Sequence, residues 1–205
     1  MIIRKLFKFE GAHIVRDCSS DRCKKSIHGH SYIVEVKLKA SHLDNAGMVL
    51  DFGLMKGTIR DVIDSFDHAY SLWTKENNDY KEFIKAHSER WIEMPCSPTA
   101  ELYSVMFYAI IYNIINKTQF NNGEKNIILD SVRVHETDTG WAEADYDDYI
   151  NIWLRGGYSI KHIFFSQQIK MEWKDPKMWD KLLDEDPKSL ARPFINPKIT
   201  LLYNS

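Results

Sequence analysis

Apolar and charged residues alternate along the first stretch of the chain: Ile3, Phe7, Phe9 and Gly11 interleave with Arg4, Lys8 and Glu10. This is the period of a half-buried strand, and its next same-side position is His13. Residues 14–27 (IVRDCSSDRCKKSI) follow neither a strand nor a helix period and read as a loop. A second strand sets His30, Tyr32, Val34, Val36 and Leu38 on one face and Glu35, Lys37 and Lys39 on the other. Beyond Gly47, the stripe Met55, Ile59, Val62, Ile63 and Phe66 predicts a helix with Asp51 as N-cap, ending near Asp67 and His68. Residues 69–97 mix aromatic residues with charges and close on Pro95 and Pro98, which predicts a long, partly ordered loop. Thr99 to Asn116 is apolar on most faces, the mark of a buried helix packed across a sheet. A turn at 121–125 leads into a third strand over 126–136, and a fourth is expected over 140–146.

This order predicts an α+β fold, an antiparallel four-stranded sheet with two helices on one face. No internal repeat or low-complexity segment interrupts it. The texture changes near residue 147. The run YINIWLRGGYSIKHIFF fits strand or helix, and a Pro-punctuated, Trp-rich tail follows. The chain therefore divides into a domain at 1–146 and a C-terminal extension at 147–205.

With 205 residues, 44% of them hydrophobic, the chain can bury one sizeable core. Its 27 basic and 29 acidic side chains nearly balance, which argues against a general nucleic-acid binder and makes any anion site local. Three cysteines, Cys18, Cys23 and Cys96, are an odd count in a chain too large to need stapling, and suit free thiols in a reducing compartment. The amino terminus lacks the apolar core of a signal peptide, and no window approaches the ~20 apolar residues of a membrane span. A soluble, cytoplasmic protein with no membrane partner is expected.

His28-Gly29-His30 changes the picture most. Residues two apart on a strand point the same way, so both imidazoles can meet one ion, while Gly29 permits close backbone approach. His13 is in phase with them. Three histidines and an open fourth position describe a catalytic zinc site. Two blander arrangements compete: surface imidazoles at a strand end, and a closed structural site that also draws on Cys18 and Cys23. Arg22, Lys24 and Lys25 surround Cys23, and cationic neighbours favour a thiolate able to act as base or nucleophile. Asp67 beside His68 offers a carboxylate to orient an imidazole, or simply a helix C-terminus meeting a histidine. Glu136 follows Val132 and Val134 in phase, so it needs a partner, either a ligand or a cation such as Arg133 or Arg4. Thr99 and Glu101 fit an N-cap and a favourable first-turn charge as well as ligand contacts.

The runs FEGAH ending at His13, CKKSIHGHSY from Cys23, GMVLDF at 47–52, Asp67-His68, PTAE at 98–101 and VHET at 134–137 together resemble the 6-pyruvoyltetrahydropterin synthase and 6-carboxytetrahydropterin synthase family, in that family's order and across residues 1–146. The resemblance implies a tunnelling fold whose subunits close a barrel as a homotrimer, usually stacked into a hexamer. It implies zinc on His13, His28 and His30, and 7,8-dihydroneopterin triphosphate as substrate. Cys23 would then be the base, with Asp67 and His68 completing proton transfer from a neighbouring subunit. Glu136 would anchor the pterin with help from Thr99 and Glu101, and Arg22, Lys24 and Lys25 are candidates for the triphosphate. The spacer between cysteine and HGH is shorter in the carboxy-forming enzymes than in the pyruvoyl-forming ones, and the four residues Lys24 to Ile27 fall between. Leu102 and Phe66 also depart from the family's usual residues. The expected activity is zinc-dependent 6-carboxy-5,6,7,8-tetrahydropterin synthesis with loss of triphosphate and acetaldehyde, feeding 7-deazaguanine and queuosine synthesis. The alternatives are the pyruvoyl product from the same substrate and a non-catalytic pterin-binding or assembly module.

Overall fold

Twelve consecutive pairs join strand β1 (Ile2–His13) to β2 (His28–Lys39) in antiparallel register, from Ile2 opposite Lys39 to His13 opposite His28. The computed structural model describes residues 1–184, 192–196 and 198; the rest of the expected extension lies outside the described residues. Between the two strands, the expected loop contains one short helix, α1 (Asp21–Lys25). β2 pairs on its other side with β6 (Ile128–His135), which pairs with β7 (Trp141–Ala144), all antiparallel. These are the four strands expected from the alternation. Phe7 and Phe9 of β1 and Tyr32, Val34, Val36 and Leu38 of β2 face one core with Val132 and Val134 of β6. Helices α2 (Thr58–Asp64) and α4 (Ala100–Asn116) supply the other side of that core.

The sheet is wider than predicted. Residues 69–97 are not a loop but a strand–helix–strand unit: β3 (Ala69–Trp73), α3 (Asn78–His87) and β4 (Trp91–Met94). β3 runs parallel to β1 and β4 parallel to β3, so the sheet becomes mixed, in the order β7-β6-β2-β1-β3-β4-β8, where β8 is the short strand Phe164–Phe165. The unit escapes a periodicity reading because four consecutive β3 residues are buried, as in parallel strands covered on both faces. Its helix buries only Ile84, too little for an apolar stripe. α3 also overturns the expectation of helices on one face alone. Tyr70 and Leu72 pack with Ile14 and Ile84 in a separate small cluster, while Ala69, out of phase with them just before Tyr70, belongs to the main core. By strand alternation, α3 covers the opposite face.

Asp51 is not the N-cap expected of it. Its carboxylate accepts the Gly53 N–H at 2.6 Å in a tight turn, a short 3-10 helix spans Leu54–Lys56, and α2 begins only at Thr58. Two glycines, Gly53 and Gly57, flank that turn and break what the apolar stripe alone would continue. For α4 the reading holds: Thr99 is the N-cap, its side chain accepting the Leu102 N–H at 3.3 Å.

After α4 come β5 (Thr118–Gln119), then β6 and β7, and a capping box at Asp145 that opens α5 (Tyr146–Asp148). A π-helical stretch, Tyr149–Leu154, follows, then β8 (Phe164–Phe165), α6 (Gln167–Glu172), α7 (Met178–Leu183) and β9 (Phe194–Ile195). β8 adds to the sheet beside β4, and β9 pairs with β5. Trp153, Phe165, Trp173 and Trp179 join the main core. Burying a large apolar side chain contributes roughly 1.5–3 kcal/mol, so these residues bind the extension firmly to the sheet. Among the described residues no helix is long and apolar enough to cross a membrane.

The sheet face opposite α2 and α4 carries paired charges. Glu143 accepts from Lys37 at 2.6 Å, Ser131 at 2.6 Å and Arg133 at 2.6 Å, and Arg133 stacks on Trp141. Burial pushes the Glu143 carboxyl up, but the hydrogen bonds from Lys37, Ser131 and Arg133 outweigh it and hold the group at about 2, below its ordinary 4.5. A depressed carboxylate stabilises the fold above its unfolded pKa and loses that contribution as pH falls towards the folded value. Glu143→Gln is therefore expected to cost on the order of 2–3 kcal/mol at pH 7. In urea titrations the gap from the wild type should start to narrow below about pH 4.5 and vanish near pH 2. A gap independent of pH would show that the charge contributes nothing.

Candidate active site

The β1–β2 register places three imidazoles at one end of the hairpin. His13 stands opposite His28, and His30 stands opposite Gly11, two pairs further in. A Cβ at Gly29 would meet the Gly11 carbonyl oxygen at 2.9 Å, so the residue between the two histidines must be glycine for the strands to come this close. The ring centroids lie 4.4, 5.2 and 5.3 Å apart, and one nitrogen from each imidazole falls within 4.8 Å of the others. Among the described residues this group consists of His13, His28 and His30 alone.

Two of the three histidines are oriented by a backbone oxygen. His13 Nδ1 lies 2.6 Å from the Pro98 carbonyl, and His28 Nδ1 lies 3.0 Å from the Ser26 carbonyl. A carbonyl only accepts, so Nδ1 carries the hydrogen and Nε2 presents a lone pair. His13 is 1% exposed, and its Nε2 is buried without a hydrogen-bond partner. Burial is the main force pulling His13 down to about 4, with His28 and His30 adding to it against the Pro98 bond. His30 is also lowered, chiefly by burial, against the Glu136 carboxylate. The lowered pKa values of His13 and His30, the tautomers fixed at His13 and His28 and an orphaned Nε2 fit a metal ion such as zinc.

Glu136, just beyond β6, approaches the same group. Its Oε1 lies 3.8 Å from His13 Nε2 and 3.9 Å from His30 Nε2, and Tyr32 donates its hydroxyl hydrogen to it at 3.5 Å. Neither basic partner suggested by sequence takes it: Arg133 pairs with Glu143 and Arg4 with Glu35. Tyr32 also lies 3.3 Å from His13 Nδ1 and stacks on Phe9 at 4.7 Å, so an aromatic floor supports the triad. Sequence reasoning placed Tyr32 on this face without giving it a role, although its phase with His28 and His30 carried the signal. The Pro98 carbonyl left no trace in the side-chain pattern.

Cys23 sits half-buried on α1, and its carbonyl accepts the Val15 N–H at 3.0 Å, which anchors the excursion two residues from His13. Neither its thiol nor that of Cys18 belongs to the histidine group, and Cys18 Sγ meets the Ser20 carbonyl at 3.1 Å. The closed four-ligand site is not assembled. Lys25 pairs with Asp21 at 2.9 Å, while Arg22 and Lys24 are exposed on the same helix.

Asp67 and His68 occupy the turn between α2 and β3. Asp67 Oδ2 lies 2.9 Å from His68 Nδ1, and Oδ1 accepts the Glu10 N–H at 2.8 Å. Burial pushes the Asp67 carboxyl up, but these hydrogen bonds and nearby Arg90 bring it below its ordinary value. His68 lines an open groove of about 430 Å³ with Glu10, Gly29, His30 and Ser31. Glu10 and Ser31 alternate with Gly11 and His30, so within one chain the pair borders the sheet face away from the triad. Thr99 caps α4, and Glu101 is exposed in its first turn.

Residues 2–147 match the sequence family described as 6-pyruvoyl tetrahydropterin synthase. The chain is similar to the 6-carboxy-5,6,7,8-tetrahydropterin synthase of Helicobacter pylori strain J99, at 40% identity over 196 residues, covering 95% of this chain and 98% of that protein. The protein of the same name from Rickettsia conorii is 26% identical over 138 residues, covering 67% of this chain and 94% of its own length. Among solved structures, an uncharacterised protein of Wolinella succinogenes shares the fold with a TM-score of 0.56 at 17% identity, over 71% of this chain and 98% of that one. The matched segment contains the three histidines, Cys23, Asp67, His68 and Glu136, and the chain belongs to the 6-pyruvoyl tetrahydropterin synthase family.

Proposed function

We propose that the protein is a zinc-dependent 6-carboxy-5,6,7,8-tetrahydropterin synthase acting on 7,8-dihydroneopterin triphosphate, with loss of triphosphate and acetaldehyde, in 7-deazaguanine and queuosine-type synthesis. The observation that carries the reading is the trio of converging imidazoles with the orphaned His13 Nε2 among them, in a chain 40% identical to a protein of that name. His13, His28 and His30 would hold the zinc. When bound there, zinc supplies Lewis-acid polarisation of the substrate's side-chain oxygens, which acidifies the adjoining C–H.

The chain's own groups divide the remaining work. Cys23, on its tethered excursion beside the strand ends, takes the proton as thiolate. Asp67, held as a carboxylate, fixes the His68 tautomer so that Nε2 exchanges a proton at the site of a neighbouring subunit. Glu136 accepts from the amino and ring N–H groups of the pterin, assisted by Thr99 and Glu101. Arg22, Lys24 and Lys25 meet the triphosphate. A homotrimer or hexamer closing a barrel accounts for a triad and an Asp–His pair that border opposite sheet faces of one chain. In this reading residues 1–146 form the catalytic unit and 147–205 an extension. In support, the family match stops at 147 while the Helicobacter pylori alignment runs on to cover 95% of the chain.

Incubation of zinc-loaded protein with 7,8-dihydroneopterin triphosphate should yield the carboxy product and acetaldehyde by mass spectrometry. A pyruvoyl product would reassign the specificity, and binding without turnover would point to an assembly module. Cys23→Ala should lower kcat by about 10²–10⁴ with zinc content unchanged, while His13→Ala should lose the metal. Zinc loss in Cys23→Ala would make that sulfur a ligand, and a turnover loss in Cys18→Ala instead would move the base to Cys18.

A further inference from the structure

The turn that carries Asp67 and His68 is held from three directions. From β1, Glu10 donates its N–H to Asp67 Oδ1 at 2.8 Å and accepts the His68 N–H at 2.7 Å. Just before β4, Arg90 spreads its guanidinium beneath the turn. Nε donates to the Asp67 carbonyl at 2.8 Å, and Nη2 donates to the Asp64 and Ser65 carbonyls at 2.9 and 3.4 Å. Those last two oxygens end α2, where carbonyls lack intrahelical partners and a cation is favoured.

The third hold comes from the C-terminal extension, through three consecutive residues. Glu172 pairs with Arg90 Nη1, Trp173 Nε1 donates to Ser65 Oγ at 2.9 Å, and the Lys174 N–H donates to Asp61 Oδ2 at 3.2 Å. Glu172 is itself braced by Gln168 at 2.8 Å. Ser65 Oγ passes its hydrogen to the Asp61 carbonyl at 2.7 Å, so the indole bond tightens the last turn of α2.

His68 adopts φ 53°, the left-handed region that a non-glycine residue keeps only where its surroundings fix it. Without the clamp, the imidazole beside Asp67 has no reason to stay aimed. Nor is Arg90 available to a ligand, since four of its five N–H groups are already committed to the three carbonyls and Glu172. We propose that Arg90 is the positioning residue for the Asp67–His68 pair, and that Glu172 and Trp173 of the C-terminal extension set it in place. The extension then takes part in the reaction through this turn. The inference rests on the reading that Asp67 and His68 move a proton.

The test uses the full-length, zinc-loaded enzyme and 7,8-dihydroneopterin triphosphate. Arg90→Gln should lower kcat at least about tenfold while KM stays within about twofold and zinc content is unchanged, since the triad and Glu136 are untouched. Glu172→Gln and Trp173→Phe should each lower kcat about three- to tenfold in the same pattern, and Arg90→Lys should recover part of the loss. In a His68→Ala background, Arg90→Gln should cost less than about twofold more, because a positioning effect vanishes with the group it positions. A merely structural arginine would give an independent, multiplicative loss, or would raise KM and release zinc. Either result overturns the proposal, as does wild-type kcat in both Glu172→Gln and Trp173→Phe. If Arg90→Gln does not fold, the two extension variants, each combined with His68→Ala, decide by the same rule. A His68→Ala enzyme with wild-type turnover would instead remove the catalytic reading of the pair, and Arg90's role with it.

Discussion

Everything at the candidate site depends on the pairing of β1 with β2. The register that sets His13 opposite His28 also sets Gly11 opposite His30, and only that alignment brings three imidazoles to one point. Strand side chains alternate, so a slip of one residue would turn His28, His30 and Tyr32 to the far face together. The slip is prevented further down the hairpin, where Phe9, Tyr32, Val34, Val36 and Leu38 are buried against α2 and α4. The same alternation that builds the core therefore aims the three imidazoles. Gly29 completes the constraint, because a side chain there would strike the opposing strand at the height of the histidines.

A second constraint links the hairpin to the helix beneath it. The His13 ring bonds to the carbonyl of Pro98, immediately before the N-cap Thr99. The start of α4 and the tautomer of His13 are therefore fixed by one segment, which gives the PTAE run a structural consequence of its own. Tyr32 extends the coupling, since its hydroxyl faces both His13 and Glu136. Movement of Glu136 would be felt at the triad through a buried phenol whose ionisation burial strongly opposes.

What the sequence revealed follows from which interactions are periodic. β1, β2, β6, β7 and α4 each keep one face against the main core, and alternation or apolar density exposed all of them. The triad was legible because its members share the core phase of two such strands. β3 and α3 were not, since β3 is covered on both faces and α3 buries one residue. The end of α2 near Asp67 was approximately placed, but its start was not, because Asp51 satisfies a turn instead of a helix. Arg90 left no sequence signal at all. Its partners are backbone carbonyls at 64, 65 and 67 and a carboxylate at 172, separations that no local pattern encodes.

The two faces of the hairpin show why one strand pair serves two kinds of chemistry. On the core face, burial and mutual repulsion keep His13 and His30 uncharged, with lone pairs free for a metal. On the opposite face, Glu35 belongs to the same strand, yet its carboxyl is held below its ordinary value because hydrogen bonds from His135 and Arg4 outweigh its burial. Desolvation acts on both faces. It prevails at His30 even against the nearby Glu136 carboxylate, and yields where a carboxylate collects several donors. The uncharged state of His13 and His30 thus depends on an apolar setting more than on any single neighbour, and the aromatic floor of Phe9, Tyr32 and Tyr103 supplies part of that setting. A polar substitution in that floor would weaken the triad's setting by admitting water, without touching a histidine.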